Sequence, residues 1–422
     1  MAPNTRLEVE IKTLGGRGDG VADTPRGRVY VPYTLPGDRV GVRLGAAAGD
    51  GHAAELVELI ASGPARIEPP CRHFHDCGGC ALQHVAADFY ADWKREQVIA
   101  ALRRRDLPTD MVAPLVRVPP QDRRRADLVA RKVGRQLLLG FHRRGSHKIV
   151  DLAECPVLQP ALVVLFEPLR ALLAGLLPAG AAVEAKLTLT DNGVDLLLDG
   201  LAATSAAARE TLAAFAETQD LARLVLRDRD AGFEDPIARR RAPLLRFGGV
   251  AVELPPAAFL QASPAAEAAM AAEVLAAALG AGRIADLYAG LGTFGLPLSA
   301  TAEVQAYESE ARLIAALQAA ANRARRRLKA ELRDLVRRPL DATELNSFDA
   351  VVFDPPRAGA REQAAELAKS KVPLVVGVSC APGTFARDAR LLVDGGYRLT
   401  RVLPVDQFLW SPHVELVATF RR

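Results

Sequence analysis

A chain of 422 residues, half of them apolar and a quarter charged, is too long for one ordinary core and too mixed to be fibrous or disordered, so two or three globular domains are expected. Its formal charge of +4 permits a nucleic-acid partner without demanding one. No apolar run reaches the roughly 18 residues of a membrane span, and the opening MAPNTRLEVEIK lacks the basic-then-apolar pattern of a secretion signal, which makes a cytoplasmic protein the expectation.

Residues 1–62 read as an all-β module. LEVEIKTL, RVYVPYTL, RVGVRL and AAELVELI are short strand-like runs, separated by the turn signals GGRGDGV, TPRG and LPGD. Several short strands so close together suggest a five-stranded barrel of the OB type, a frequent binder of single-stranded nucleic acid, although a barrel without a ligand has the same pattern. CRHFHDCGGCALQH follows, with Cys71, Cys77 and Cys80 packed into ten positions. In a reducing compartment such clustering points to metal ligands or catalysis rather than disulfides.

ADFYADWKREQVIAALRRR has the apolar spacing of an amphipathic helix. Residues 115–250 then mix strand-like runs (RQLLLGFHRR, KLTLTDNGVDLLLDG) with helical ones (ALVVLFEPLRALLAGLL, AAARETLAAFAE), an α+β region. From about residue 251 buried strands alternate with helices, which predicts a doubly wound α/β domain.

Four stretches of that last domain carry chemistry. In DLYAGLGTFGLPLS a strand runs into a loop with Gly290 and Gly292, where the backbone can approach a nucleotide-like ligand. Glu308 ends the next strand about 20 residues on, as a ribose-binding acid does, and Asp334 follows a third strand, placed to read an adenine amine. The glycine spacing is not G-x-G-x-x-G, which favours a methyl-donor site over a dinucleotide site. FDAVVFDPPRAG puts Asp354 and two prolines at the end of a hydrophobic strand. VVGVSCAPGTFARD ends a strand on Cys380, either a nucleophile or a small buried residue. DQFLWSPHVELVATF joins His413 to Glu415, either a base facing a cleft or a solvated strand residue.

FLQAS, DLYAGLGTFGLPL, FDPPRAG, VSCAPGTFARD and PHVELVATF, in that order, resemble the bacterial RNA (uracil-5-)-methyltransferases. LEVEIKTLGGRGDGVADTPRGRVYVPYTLPGDRV resembles their TRAM domain, and C-x5-C-x2-C with the later IVDLAECPVL resembles their iron–sulfur site. The architecture implied is α/β. It comprises an N-terminal TRAM (OB-like) RNA-binding barrel at 1–62, a central α+β domain with a 4Fe-4S site at 63–250, and a Rossmann-like class I S-adenosylmethionine-dependent methyltransferase domain at 251–422. The resemblance implies Cys71, Cys77, Cys80 and Cys155 as cluster ligands. Four thiolates also suit zinc, and spacing alone does not separate the two; His73, His75 and His84 rank below the cysteines as ligands.

The resemblance further implies Cys380 as the nucleophile on carbon 6 of uracil and Glu415 as the base for the carbon-5 proton. Gln261, Tyr288, Gly290, Gly292, Thr293, Glu308, Asp334 and Asp354 would line the S-adenosylmethionine site. Thr293, Ser263 and Ala381 stand where the family often has asparagine. The basic stretches RRRADLVARK and FHRRGSHK would put Arg124, Arg131 and Arg143 on phosphates. The TRAM domain combined with the cluster cysteines implies ribosomal RNA as substrate, bound by a monomer, with transfer RNA as the alternative ranked below it because family members that modify it typically lack both features. An RNA cytosine-5 methyltransferase is disfavoured because Arg357 follows the DPP motif where those enzymes carry cysteine. A non-catalytic, metal-stabilised RNA-binding protein is the alternative from another class.

Overall fold

A computed structural model describes residues 6–25, 27–201, 205–228 and 233–422; residues 1–5 and Arg26, within the expected TPRG turn, lie outside it. Alternation sets the first sheet. Its strands are β1 (Arg6–Glu10), β2 (Thr13–Leu14), β3 (Asp19–Thr24), β4 (Gly27–Pro32), β5 (Arg39–Ala48) and β6 (Gly51–Ala61). Val29 and Val31 of β4 and Val40, Val42 and Leu44 of β5 are buried, the period of two of a half-covered strand. The order is β1-β5-β6-β4-β3-β2, with β4 and β6 parallel. Both edges of this sheet are consecutive pieces of chain. Between them the Ile11 N–H donates to the Asp38 carbonyl and the Lys12 N–H to the Val21 carbonyl, so residues 11 and 12 bridge the two edges and the sheet curls back on itself.

Helix α1 (Ala87–Arg103) precedes a second sheet, of order β12-β11-β10-β9-β7-β8. Its strands are β7 (Arg125–Val133), β8 (Gln136–Gly140), β9 (Ala182–Thr190), β10 (Gly193–Asp199), β11 (Arg223–Arg227) and β12 (Glu234–Arg239). Helices α2 (Pro160–Val163), α3 (Phe166–Leu176) and α4 (Ala206–Thr218) join it, and Leu162, Leu169, Leu173 and Leu212 share a core with Leu128, Leu139 and Leu196. A hairpin of β13 (Leu244–Phe247) and β14 (Val250–Glu253) leads into the third unit.

That unit contains α5 (Pro264–Ala277), β15 (Arg283–Leu287), α6 (Gly295–Leu298), β16 (Glu303–Glu308), α7 (Ala311–Arg323), β17 (Leu328–Leu332) and α8 (Ala342–Leu345). It continues with β18 (Ala350–Phe353), α9 (Arg361–Lys369), β19 (Leu374–Ser379), α10 (Pro382–Asp394), β20 (Arg398–Val405) and β21 (Glu415–Arg421). The sheet order is β17-β16-β15-β18-β19-β21-β20, parallel except for β21, which runs antiparallel to both its neighbours, β19 and β20. Every residue of β18 and β19 is buried, as strands covered on both faces must be.

The linear boundary expected near residue 250 does not describe the packing. Val98, Ile99 and Leu102 of α1 pack in one core with Phe385, Ala389 and Leu392 of α10. Val112 and Val116 extend the third sheet by pairing in parallel with Val402 and Val405. Residues 87–116 therefore belong with the C-terminal sheet rather than with the middle one.

Candidate active site

Strand order reverses between β15 and β18, and the carboxyl ends of the parallel strands leave a crevice there. The crevice is a cavity of about 940 Å³. After β15, Tyr288 adopts a φ of +60°, a conformation a residue with a side chain seldom takes, followed by Gly290 at +54° and Gly292 at +88°. A Cβ at Gly292 would lie 2.5 Å from Leu317 Cδ1 and 2.9 Å from Leu296 Cγ, so the loop needs glycine at that position. Glu308, ending β16, accepts the Gly290 N–H on Oε2 at 3.1 Å, while its Oε1 accepts the Ser309 and Glu310 N–H groups at 2.6 and 3.0 Å. Asp334 accepts the Val336 and Arg337 N–H groups at 3.0 and 3.2 Å. Gln261, Tyr288, Gly290, Thr293, Glu308, Asp334 and Asp354 all line the cavity, and Gly292 underpins its loop from behind.

Cys380 follows β19 directly, and Glu415 opens β21. Both face the same cavity as Asp354 and Arg357. Burial pushes the Cys380 thiol up to about 11, with the negative charges of Glu415 and Asp354 adding to it and the Arg357 guanidinium opposing. Burial likewise holds Asp354 up at about 7. Glu415 lies well above the usual carboxylate range, first through burial and then through the charge of Asp354. Two acids and a thiol thus share one low-dielectric pocket, an arrangement suited to proton transfer near neutral pH.

A chain of amides joins the two acids. Gln261 donates through Nε2 to Asp354 Oδ2 at 3.0 Å. Gln407 donates through Nε2 to Gln261 Oε1 at 2.7 Å and to Glu415 Oε2 at 2.9 Å. Sequence reasoning missed Gln407; its only local signal is its place in the same DQFLWSPHVE stretch as Glu415. Asp286 at the end of β15 was missed too. It is buried, its Oδ2 has no partner among the described residues, and burial with the charge of Asp354 pushes it up to about 8. Ser263 caps α5 instead of facing a ligand, accepting the Ala266 N–H at 3.0 Å and bonding to Asp122.

The four cysteines Cys71, Cys77, Cys80 and Cys155 line the far end of the same cavity. Burial raises each thiol, Cys80 to about 12; the charges of neighbouring cysteines add to the effect at Cys77, Cys80 and Cys155, and that of Glu154 at Cys71. Among the described residues no three His, Cys, Asp or Glu side chains sit close enough together to hold a single metal ion. The histidines serve other contacts. His73 Nε2 accepts the Ala153 N–H at 3.1 Å, His75 packs against Tyr33 and Phe74, and His84 is buried against Phe74.

Arg124 corrects an expectation. It is 7% exposed, ion-paired with Glu267, and donates through Nε to the Gln261 carbonyl at 3.0 Å. A guanidinium committed in this way braces the Gln261 loop and has no reach toward phosphate. Arg131 is exposed on β7, and Arg143 is exposed while paired with Asp76. No helix among the described residues is long and apolar enough to cross a membrane.

Residues 253–422 match the family model described as tRNA (Uracil-5-)-methyltransferase. An uncharacterized RNA methyltransferase of Brucella suis is 46% identical over 98% of each chain, and one of Caulobacter vibrioides is 47% identical over 98% of this chain and 100% of its own. The 23S rRNA (uracil(1939)-C(5))-methyltransferase RlmD of Halomonas elongata is 34% identical over 97% of this chain and 88% of its own. The fold matches that of the Pyrococcus abyssi tRNA (uracil-54, C5)-methyltransferase, solved with S-adenosyl-L-homocysteine, at a TM-score of 0.78 and 24% identity over 98% and 99% of the two chains. With relatives this similar along nearly its whole length, the chain belongs to the S-adenosylmethionine-dependent RNA (uracil-5-)-methyltransferases.

Proposed function

We propose that this enzyme methylates carbon 5 of a uridine in 23S ribosomal RNA through a covalent bond between Cys380 and carbon 6. The supporting observation is the convergence of Cys380, Glu415 and the Gly290–Gly292 loop on one cavity. Carbon 5 of uracil is a weak nucleophile, so the ring must first gain electrons. Cys380 adds to carbon 6 as the thiolate, leaving an enolate with carbanion character at carbon 5. S-adenosylmethionine, when bound, supplies the methyl group that carbon 5 takes as the methyl–sulfur bond breaks. Glu415 then removes the carbon-5 proton, the 5,6 double bond returns and Cys380 leaves. Arg357 is the cation that favours the thiolate. The uridine must leave any base stack to reach this depth.

The acceptors at Glu308, Asp334 and Asp354 beside a glycine loop suit the hydroxyls, amine and sulfonium of that donor. For the four cysteines, thiols that raise one another's pKa need a cationic centre before they can all ionise. Four thiolates suit zinc as well as a 4Fe-4S cluster, and it is the family resemblance of C-x5-C-x2-C with IVDLAECPVL that favours the cluster. Methyl transfer moves no net electrons, so the cluster would be a cross-link. The curled N-terminal sheet would act as a TRAM domain, with Arg131 and Arg143 on phosphates. The choice of ribosomal RNA follows the relative named for 23S rRNA; transfer RNA, named in the family model, is the second reading. A Cys380→Ala variant should bind donor and RNA yet form no adduct and transfer no methyl group. Persisting transfer would overturn the mechanism.

A further inference from the structure

Gln407 is buried, and both ends of its amide are committed. Its Oε1 accepts the Ala262 N–H at 3.1 Å, and a backbone N–H can only donate, so the carbonyl end of the side chain is fixed. The NH₂ end must then point the other way, at Glu415 Oε2 and Gln261 Oε1, 2.9 and 2.7 Å distant. That in turn fixes Gln261, whose own NH₂ is directed onto Asp354. One backbone N–H therefore orients two side-chain amides and the two carboxylates at their ends.

The loop carrying Gln407 is held from outside as well. Asp406 pairs with Lys94 and accepts the Tyr90 hydroxyl at 3.0 Å, Lys94 donates to the Phe408 carbonyl at 3.0 Å, and the Trp410 N–H donates to the Tyr90 hydroxyl at 2.8 Å. Ala81 and Leu82, next to Cys80, donate their N–H groups to the Trp410 carbonyl at 2.9 and 3.0 Å. A residue kept only to fill space would not need its loop pinned by two other parts of the chain.

We propose that Gln407 is a positioning residue for proton removal: its amide aims Glu415 at carbon 5 and holds it apart from Asp354. Resting on the mechanism above, this assigns Gln407 to the late step. The groups facing Glu415 are Gln407, Asp354, Arg357 and the Cys380 thiol. Of these Gln407 supplies the direct hydrogen bond to the ionised carboxylate, so its loss disfavours the form that accepts a proton.

The experiment uses full-length enzyme loaded with its cluster, ribosomal RNA carrying tritium at uridine carbon 5, and the variants Gln407→Met and Gln407→Glu. Tritium release reports proton removal, and a denaturant-resistant enzyme–RNA band reports the Cys380 adduct. For Gln407→Met the expected result is a 10- to 100-fold fall in tritium release, an accumulating adduct and a pH–rate profile displaced to higher pH. Gln407→Glu retains the acceptor for the Ala262 N–H and, when ionised, adds a third negative charge, so it should be slower than Gln407→Met above neutral pH. Thermal melting identifies a variant that has simply unfolded, in which case Gln407→Glu carries the test. Wild-type tritium release, or a loss without adduct or pH displacement, overturns the assignment. A Glu415→Gln control separates the two ideas, because if it too releases tritium normally the mechanism itself fails.

Discussion

Lys94 of α1 and Asp406, just after β20, form an ion pair from which water is wholly excluded. The two residues are 312 positions apart, and the pair ties the amphipathic helix to the loop that carries Gln407 and leads to Glu415. Burial lowers the Lys94 pKa and raises that of Asp406, with each countered by its partner's charge. Lys94→Met leaves the buried Asp406 carboxylate with the Tyr90 hydroxyl but no cation, which should cost about 3–5 kcal/mol in denaturant unfolding. It should also slow methyl transfer in protein that remains folded. A change in the unfolding midpoint too small to measure would mean that the pair contributes nothing.

Asp286 gives the fold a pH dependence of its own. Its folded pKa, about 8, is raised from an ordinary 3.8, so the folded state holds a proton that the unfolded state releases. Its stabilising contribution is complete below pH 4 and is lost as pH rises toward 8. Asp286→Asn, which cannot ionise, should raise the melting temperature at pH 8.5 and leave it nearly unchanged at pH 4. Equal shifts at both values would contradict a neutral, buried Asp286.

The Cys380 thiol, pushed up to about 11 in the free enzyme, should react slowly with iodoacetamide at pH 7. Its alkylation should accelerate about tenfold per pH unit until that value is approached. Arg357 opposes the rise, and its side chain contacts His413 at 2.8 Å, so Arg357→Gln should slow alkylation further at every pH below 11. Mass spectrometry of the Cys380 peptide gives the rate. Rapid labelling at pH 7 would show a thiolate already present.

The arginines divide by burial. Arg124→Ala should destabilise the protein by about 3–5 kcal/mol, through the stranded Glu267, while leaving the salt dependence of RNA binding unchanged. Arg131→Ser with Arg143→Ser should do the reverse, reducing the slope of log K against log salt by about 1.4–1.8. Filter binding across a salt titration, beside thermal melts, separates the two classes. A reduced slope for Arg124→Ala would restore it as a phosphate contact.

Local chemistry was legible in the sequence and long-range partnership was not. Cys380, Asp354 and the Gly290–Gly292 loop could be singled out because each follows an apolar strand, and Glu415 because it opens one. The strands of the first module could be anticipated from alternation in LEVEIKTL and RVYVPYTL, although six form where five were expected. Gln407 could not, since an amide takes meaning only from its partners, and Gln261 lies 146 positions away. Arg124 misled for a related reason. A run of arginines does not tell which one turns inward, and only the position of Glu267 decides it. The same distance hid the attachment of α1 to the catalytic sheet, whose partners in α10 lie near the other end of the chain.

The most direct test of the central claim is methyl transfer from labelled S-adenosylmethionine to unmodified 23S ribosomal RNA and transfer RNA, with enzyme purified without oxygen and the product nucleoside identified by mass spectrometry. The expected product is 5-methyluridine at one site in the ribosomal RNA and none in the transfer RNA. 5-Methyluridine in transfer RNA alone would contradict the substrate, and 5-methylcytidine or no product at all would contradict the chemistry.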